Sequence, residues 1–157
     1  MTTTHKTFII IAVLAIVALT YSYIKKGAPV VEPVAVAPQT ESIEGCYVSR
    51  TDKDVYTLNI KNQDAASVSG TLAFKNFEKD SSSGNFAGTY NNGILFGDYS
   101  FASEGMDSVM EVAFKKEGDA FIRGYGPVID QGTRFESLDT VTYERSTLSV
   151  FEKEACL

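Results

Sequence analysis

The sequence predicts an all-β domain, an antiparallel meander that closes or nearly closes into a small up-and-down barrel, preceded by one N-terminal transmembrane helix. Three observations predict the barrel. From Gly45 onward short alternating segments recur with turn signals between them, and no helical period appears. Pairing the strands on either side of Asn92-Gly93 sets Gly88 opposite Gly97, and a sheet can bend sharply where facing positions carry no side chain. Cys46 falls in the first strand and Cys156 beside the C-terminus, the two places that a closed meander makes neighbours.

Residues 1–6 form a short tail. Residues 7–24, TFIIIAVLAIVALTYSYI, contain no charge and show no amphipathic stripe. Eighteen helical residues span about 27 Å, close to the hydrocarbon thickness of a bilayer. The run therefore reads as a retained signal-anchor and a single-pass membrane segment. The small-x-small triplet Ala35-Val36-Ala37 stands too far beyond the apolar run for a usual signal-peptidase site. Residues 25–44 hold three of the four prolines, Pro29, Pro33 and Pro38, and read as an extended tether. The domain then occupies residues 45–157.

The expected strands are 45–50, 54–61, 67–75, 84–91, 94–102, 108–116, 119–126, 133–136, 139–144 and 147–152. Asn92-Gly93 suits a type I′ hairpin. Tyr90 then faces Leu95, and Phe86 faces Tyr99, on an apolar side. Ala87 with Asp98 and Asn85 with Ser100 make the other side mostly polar, with Phe96 as its exception. The facing glycines either bend the sheet or leave room for a ligand over Phe86 and Tyr99. A second hairpin through Glu117-Gly118 sets Phe114 opposite Phe121, Val112 opposite Arg123 and Met110 opposite Tyr125. Arg123 then lies among apolar side chains, either reaching the barrel mouth or meeting an anion inside. Phe86, Tyr99, Arg123 and Tyr125 are the candidate ligand-lining residues.

Between Phe74, expected opposite Phe86, and the next strand comes KNFEKDSSSGN. Phe77 arrives one residue out of phase and is expected to turn inward and cap the barrel, while Glu78 to Ser83 stay solvated. If the connections after Phe74 and Phe101 share one barrel end, Lys79, Asp80, Glu104 and Asp107 ring a candidate mouth.

Composition excludes several function classes. From Gly27 onward eleven lysines and arginines stand against twenty acids, a net charge of −9. Such a domain repels phosphate backbones, so no nucleic-acid partner is expected. The only histidine, His5, precedes the domain, which removes histidine-based triads and metal sites from the fold. Residues 52–64 begin like a calcium loop but lack its glycine and its closing glutamate. No metal site and no cofactor are expected. Glu78, Asp80, Asp98, Glu104 and Asp107 leave a carboxylate-based hydrolase as a remote reading with no selected pair.

A Cys46–Cys156 disulfide would fasten the closure seam, and disulfides belong to oxidising compartments. The charge flanking the apolar run nearly ties, so the cysteines orient the domain to the outside of the cell membrane.

The stretch GTLAFKNFEKDSSSGNFAGTYNNGILFGDYSFASEGMDSVMEVAFKK, with the later RGYG, resembles a group of small bacterial envelope proteins that are membrane-anchored or lipoprotein-like. They share a proline-rich spacer and a β-rich domain of about this size. The resemblance implies a bacterial cell-envelope location and assigns no catalytic residue. This chain departs from the lipoprotein members because no cysteine directly follows its apolar segment. The functional expectation is a non-enzymatic, membrane-tethered, lipocalin-like barrel that binds a small or extended ligand. The alternative is a structural or protein-interaction module that meets another envelope protein.

Overall fold

The computed structural model describes residues 41–103 and 105–156. The expected anchor over 7–24 and most of the expected linker lie outside the described residues. Among those described, no helix is long and apolar enough to cross a membrane.

Ten strands follow in order: β1 (Gly45–Arg50), β2 (Val55–Asp64), β3 (Ser67–Lys75), β4 (Ser82–Asn91), β5 (Ile94–Ser103), β6 (Met106–Glu117), β7 (Ala120–Arg123), β8 (Val128–Ile129), β9 (Arg134–Phe135) and β10 (Val150–Glu154). Eight of them close an antiparallel barrel in the order β1-β10-β7-β6-β5-β4-β3-β2, while β8 and β9 form a separate small ladder. The expected strand over 139–144 is not formed. That stretch holds the end of a 3₁₀ turn, Leu138–Thr140, and a single bridge between Tyr125 and Thr142.

The β4–β5 hairpin has the expected register throughout. Tyr90 faces Leu95, Gly88 faces Gly97, and Phe86 faces Tyr99. Asn92 and Gly93 both take positive φ, 51° and 79°, as the tight turn requires. At the facing glycines the strands approach so closely that a Cβ on Gly97 would lie 2.4 Å from the Gly88 Cα and 2.3 Å from the Ala87 carbonyl oxygen. The sheet can follow the barrel's curvature here only because neither position carries a side chain.

Two registers differ from expectation. Phe74 faces Ser82, and Phe86 faces Gly70, so the β3–β4 connection shrinks to residues 76–81. At the β6–β7 hairpin the turn is Gly118-Asp119, with Gly118 at φ 58°. Phe114 therefore faces Arg123, and Lys116 faces Phe121. The first register is offset by four residues and the second by two, both even numbers, so every side chain keeps its expected face.

An eight-stranded barrel is just wide enough for side chains to fill it, and this one is filled. Tyr47, Leu58, Leu72, Leu95, Tyr99, Phe114, Phe121 and Phe151 are all fully buried. Edge-to-face pairs tie the layers together, Tyr47 with Phe121 at 4.8 Å and Phe114 with Phe151 at 5.3 Å between centroids. Ile43 is also fully buried and accepts the Tyr47 hydroxyl on its carbonyl at 2.9 Å. The globular part thus takes in residues ahead of Gly45.

Ala113, Ala120 and Ile122 point to the outside of the barrel by alternation yet are buried. The chain between β7 and β10 returns over this face. The Gly124 amide donates to the Ala113 carbonyl, and Val141 and Tyr143 stand so close to Gly124 that a Cβ there would meet both. Closure is completed by β10, which pairs with β7 on one side and β1 on the other. Cys46 and Cys156 are bonded across this seam with Cα atoms 5.2 Å apart.

Candidate functional site

The barrel has two unlike ends. At one, the turns Ala65-Ala66, Asn92-Gly93 and Gly118-Asp119 are each two residues long. Ile43 lies inside it, its amide donating to Gln63 Oε1 at 2.8 Å. One cation at this end, Lys116, packs toward the Phe121 ring at 5.9 Å, donates to the Gly118 carbonyl and pairs with Glu41 at 3.6 Å. We call this the closed end.

The other end carries the connections after β1, β3, β5 and β7, and we call it the open end. The last inward-facing rings here are Tyr56, Phe74, Tyr99 and Phe101. Their centroids lie 5.0 Å apart for Tyr56–Phe74, 5.6 Å for Phe74–Tyr99 and 4.7 Å for the stacked Tyr99–Phe101 pair. Tyr56 donates its hydroxyl to Asn76 Oδ1 at 2.8 Å, and Tyr99 donates to Ser82 Oγ at 3.0 Å. Burial pushes both phenols above their ordinary pKa, and the positive charge of Arg123 partly opposes that shift.

Arg123 is the last residue of β7, and its guanidinium lies 4.3 Å from the Phe74 ring centroid and 5.2 Å from that of Tyr125. It enters none of the ion pairs among the described residues. Every sealed side-chain nitrogen or oxygen among those residues has a hydrogen-bond partner, and Arg123 makes no side-chain hydrogen bond with them. Its nitrogens are therefore open to solvent, which agrees with its half-buried state.

Beside Arg123 is a cavity of about 100 Å³. Met110 and Val112 of β6, Gly124, Tyr125 and Gly126 beyond β7, and Phe135 of β9 line it with Arg123. It exists because β7 ends early. The sequence Gly124-Tyr125-Gly126-Pro127 leaves the ladder, so the first half of β6 loses its strand neighbour. That edge is covered instead by the β8–β9 segment, where the Glu111 amide donates to the Thr133 carbonyl at 2.7 Å. Glu111 also borders the cavity, but its charge is engaged. It accepts from the Phe135 amide at 2.9 Å and from Arg134 Nε at 3.3 Å.

Of the four expected ligand-lining residues, the fold brings Arg123 and Tyr125 together at this cavity. Phe86 and Tyr99 are 1% and 0% exposed and belong to the packed core. Lys79 and Asp80 sit exposed on the β3–β4 connection, and Asp107 is exposed on β6 at the same end. Glu104 lies outside the described residues. Glu78 is exposed with φ 55°, and Asp98 is exposed on the outer face of β5. No group of three His, Cys, Asp or Glu that could hold a metal occurs among the described residues.

Phe77 does not cap the barrel. It is 46% exposed, with the Lys53 ammonium 4.4 Å from its ring centroid. The physical reason is occupancy, because Tyr56, Phe74, Tyr99 and Phe101 already fill this level of the interior. The loop instead closes on itself and onto the β1–β2 connection. The Asn76 amide donates to Ser81 Oγ, Asn76 Nδ2 to the Asp80 carbonyl, and the Phe77 amide to Asp54 Oδ1.

Sequence reasoning placed Arg123 among apolar side chains but missed its ring partner Phe74 and the inward Lys116. Lys116 was within reach, since it continues the alternation Met110, Val112, Phe114. The early end of β7 also had a signal in Gly126-Pro127, because proline cannot donate to a ladder. Comparison of the chain with protein-family models, with curated proteins and with solved structures finds no match.

Proposed function

We propose that this protein is a non-enzymatic interaction module, a β-barrel tethered to the cell membrane by residues 7–24 and held outside the cytoplasm, which contacts its partner through the open end. The observation that carries this reading is the contrast between a filled interior and an unsatisfied rim. A barrel that stores a small molecule needs an internal cavity, commonly about 300 Å³ or more, and this interior is occupied by its own aromatic side chains. The exposed large apolar residues include Phe77 and Tyr125 on the open-end connections, Met106 at the start of β6, and Val128 and Ile129 of β8. Exposed apolar surface next to an uncompensated cation has the character of an interface core rather than a solvated tip.

The tether is supported by the uncharged apolar run and by the proline-rich segment behind it. The extracytoplasmic side is supported by the Cys46–Cys156 bond, which persists in an oxidising compartment. The resemblance to small bacterial envelope proteins supports the same location.

The experiment is protease treatment of intact spheroplasts expressing the full chain. Cleavage in the proline-rich tether should release an intact, disulfide-bonded barrel without lysis. Recovery of the chain in the soluble cytosolic fraction, or release only after lysis, would sink the reading.

A further inference from the structure

We propose that Arg123 and the cavity beside it form a recognition subsite for a carboxylate that carries a short apolar substituent. The inference rests on the reading of the open end as the contact end and names the chemistry that end would take. Four observations converge on it. Arg123 has no carboxylate partner among the described residues, although the domain is acidic and every other cation set close to an inward-facing core ring at the closed end is paired or rests at the surface. Its guanidinium is held against Phe74 and Tyr125, so little side-chain freedom is left to lose on binding. The adjoining space of about 100 Å³ has apolar walls, Met110, Val112 and Phe135. The acid at its border, Glu111, is neutralised by Arg134 and the Phe135 amide.

The size and charge of the site select the ligand. A guanidinium fork accepts a carboxylate through two parallel hydrogen bonds. One positive charge balances one carboxylate but leaves a dianionic phosphate or sulfate under-compensated in a chain whose net charge from Gly27 onward is −9. The cavity is too small for a ring system with substituents, yet it accommodates a few carbon atoms. A free short-chain acid and the C-terminus of a polypeptide both present this group.

The test is a titration of the full-length chain in nonionic detergent, followed by NMR of the Met110 and Val112 methyl groups and the Arg123 Nε–H. The probes are sodium propionate, N-acetylalanine, propionamide and sodium sulfate, at constant ionic strength set with chloride. Propionate or N-acetylalanine should give saturable shifts with a dissociation constant on the order of 1–10 mM, as so few atoms allow. Tighter binding of N-acetylalanine identifies a polypeptide terminus, and tighter binding of propionate a free acid. Propionamide should give no saturable shift. R123K should weaken binding by roughly tenfold through loss of the fork, and R123Q should abolish it.

Equal shifts with propionamide, equal or better binding of sulfate, or unchanged binding in R123Q would overturn the proposal. If R123Q fails to fold, the propionate–propionamide difference in the native chain and the weakening in R123K still decide it. This titration reads the subsite alone, whereas spheroplast proteolysis reads tether and orientation, so either can fail without the other.

Discussion

The two ends of the barrel solve the same problem differently. Each places a cation against aromatic rings at the limit of the core. At the closed end Lys116 approaches Phe121 and is then satisfied by Glu41 and the Gly118 carbonyl, under two-residue turns and the buried Ile43. At the open end Arg123 approaches Phe74 and Tyr125 and is left without a partner among the described residues, beside a cavity and exposed apolar side chains. A fold optimised only for stability would treat both ends like the first. The closed end satisfies its cation within the fold, whereas the open end leaves Arg123 and several apolar side chains exposed, and the proposed contact role rests on that difference.

The sharpest way to break this contrast is to remove a ring from the closed end. Phe121 is fully buried and touches Tyr47, Tyr90 and Phe114. Phe121→Ala should cost roughly 3–5 kcal/mol, read by chemical denaturation. A loss below about 1 kcal/mol would mean that the closed end is not where stability resides.

Next in size is the seam. Cys46 and Cys156 close a separation of 110 residues, and replacing both with serine should cost roughly 2–5 kcal/mol. Hydrogen exchange should then speed up in β1 and β10 before β4 and β5, which keep their ladder on both sides. Uniform acceleration would show that the disulfide acts on the whole barrel and not on its closure.

A smaller effect is read by pH, most strongly at Tyr47 of the closed end. Burial, with the nearby charges of Glu41 and Asp119, pushes the Tyr47 phenol up to about 12. The folded state therefore holds this proton more tightly than the unfolded chain, whose tyrosine titrates near pH ~10. Stability from this group is fully present below pH ~10 and is lost as pH rises from there towards about 12. Melting temperature should fall over that window, and Tyr47→Phe should flatten part of the fall while costing about 1 kcal/mol at neutral pH for the lost bond to Ile43. Because Tyr56, Tyr90, Tyr99 and Tyr143 are shifted the same way, a residual alkaline loss should remain.

The smallest expected effect is at the open end itself. Phe77→Ala removes a half-exposed ring that the Lys53 ammonium covers, and should change stability by no more than about 0.5 kcal/mol. The same variant should lower affinity for any partner that docks on this end, measured by titration once that partner is in hand. A loss of several kcal/mol would return Phe77 to a capping role.

Much of this could be read from the chain alone. Asn92-Gly93 fixed the β4–β5 register residue by residue, because only a two-residue turn with positive φ at both positions fits there, and alternation then assigned every face. The cysteine positions foretold the seam, since a meander that closes must bring its first and last strands together. Where the turn chemistry was ambiguous, at Glu117-Gly118-Asp119, the register came out two residues away but the faces survived, because pleating has a period of two. The sequence also determined that the fold lacks histidine chemistry and carries strong net negative charge.

What only the tertiary structure decided are the properties that depend on who arrives first in a shared space. Phe77 is excluded because Tyr56, Phe74, Tyr99 and Phe101 already occupy its level. The outward Ala113, Ala120 and Ile122 are buried because the chain between β7 and β10 returns over them. Lys116 and Arg123 both face inward, yet one is neutralised by a residue far away in sequence and the other has no such partner among the described residues. Local alternation records which way a side chain points. Packing density and long-range charge, which no short stretch encodes, decide what it meets there.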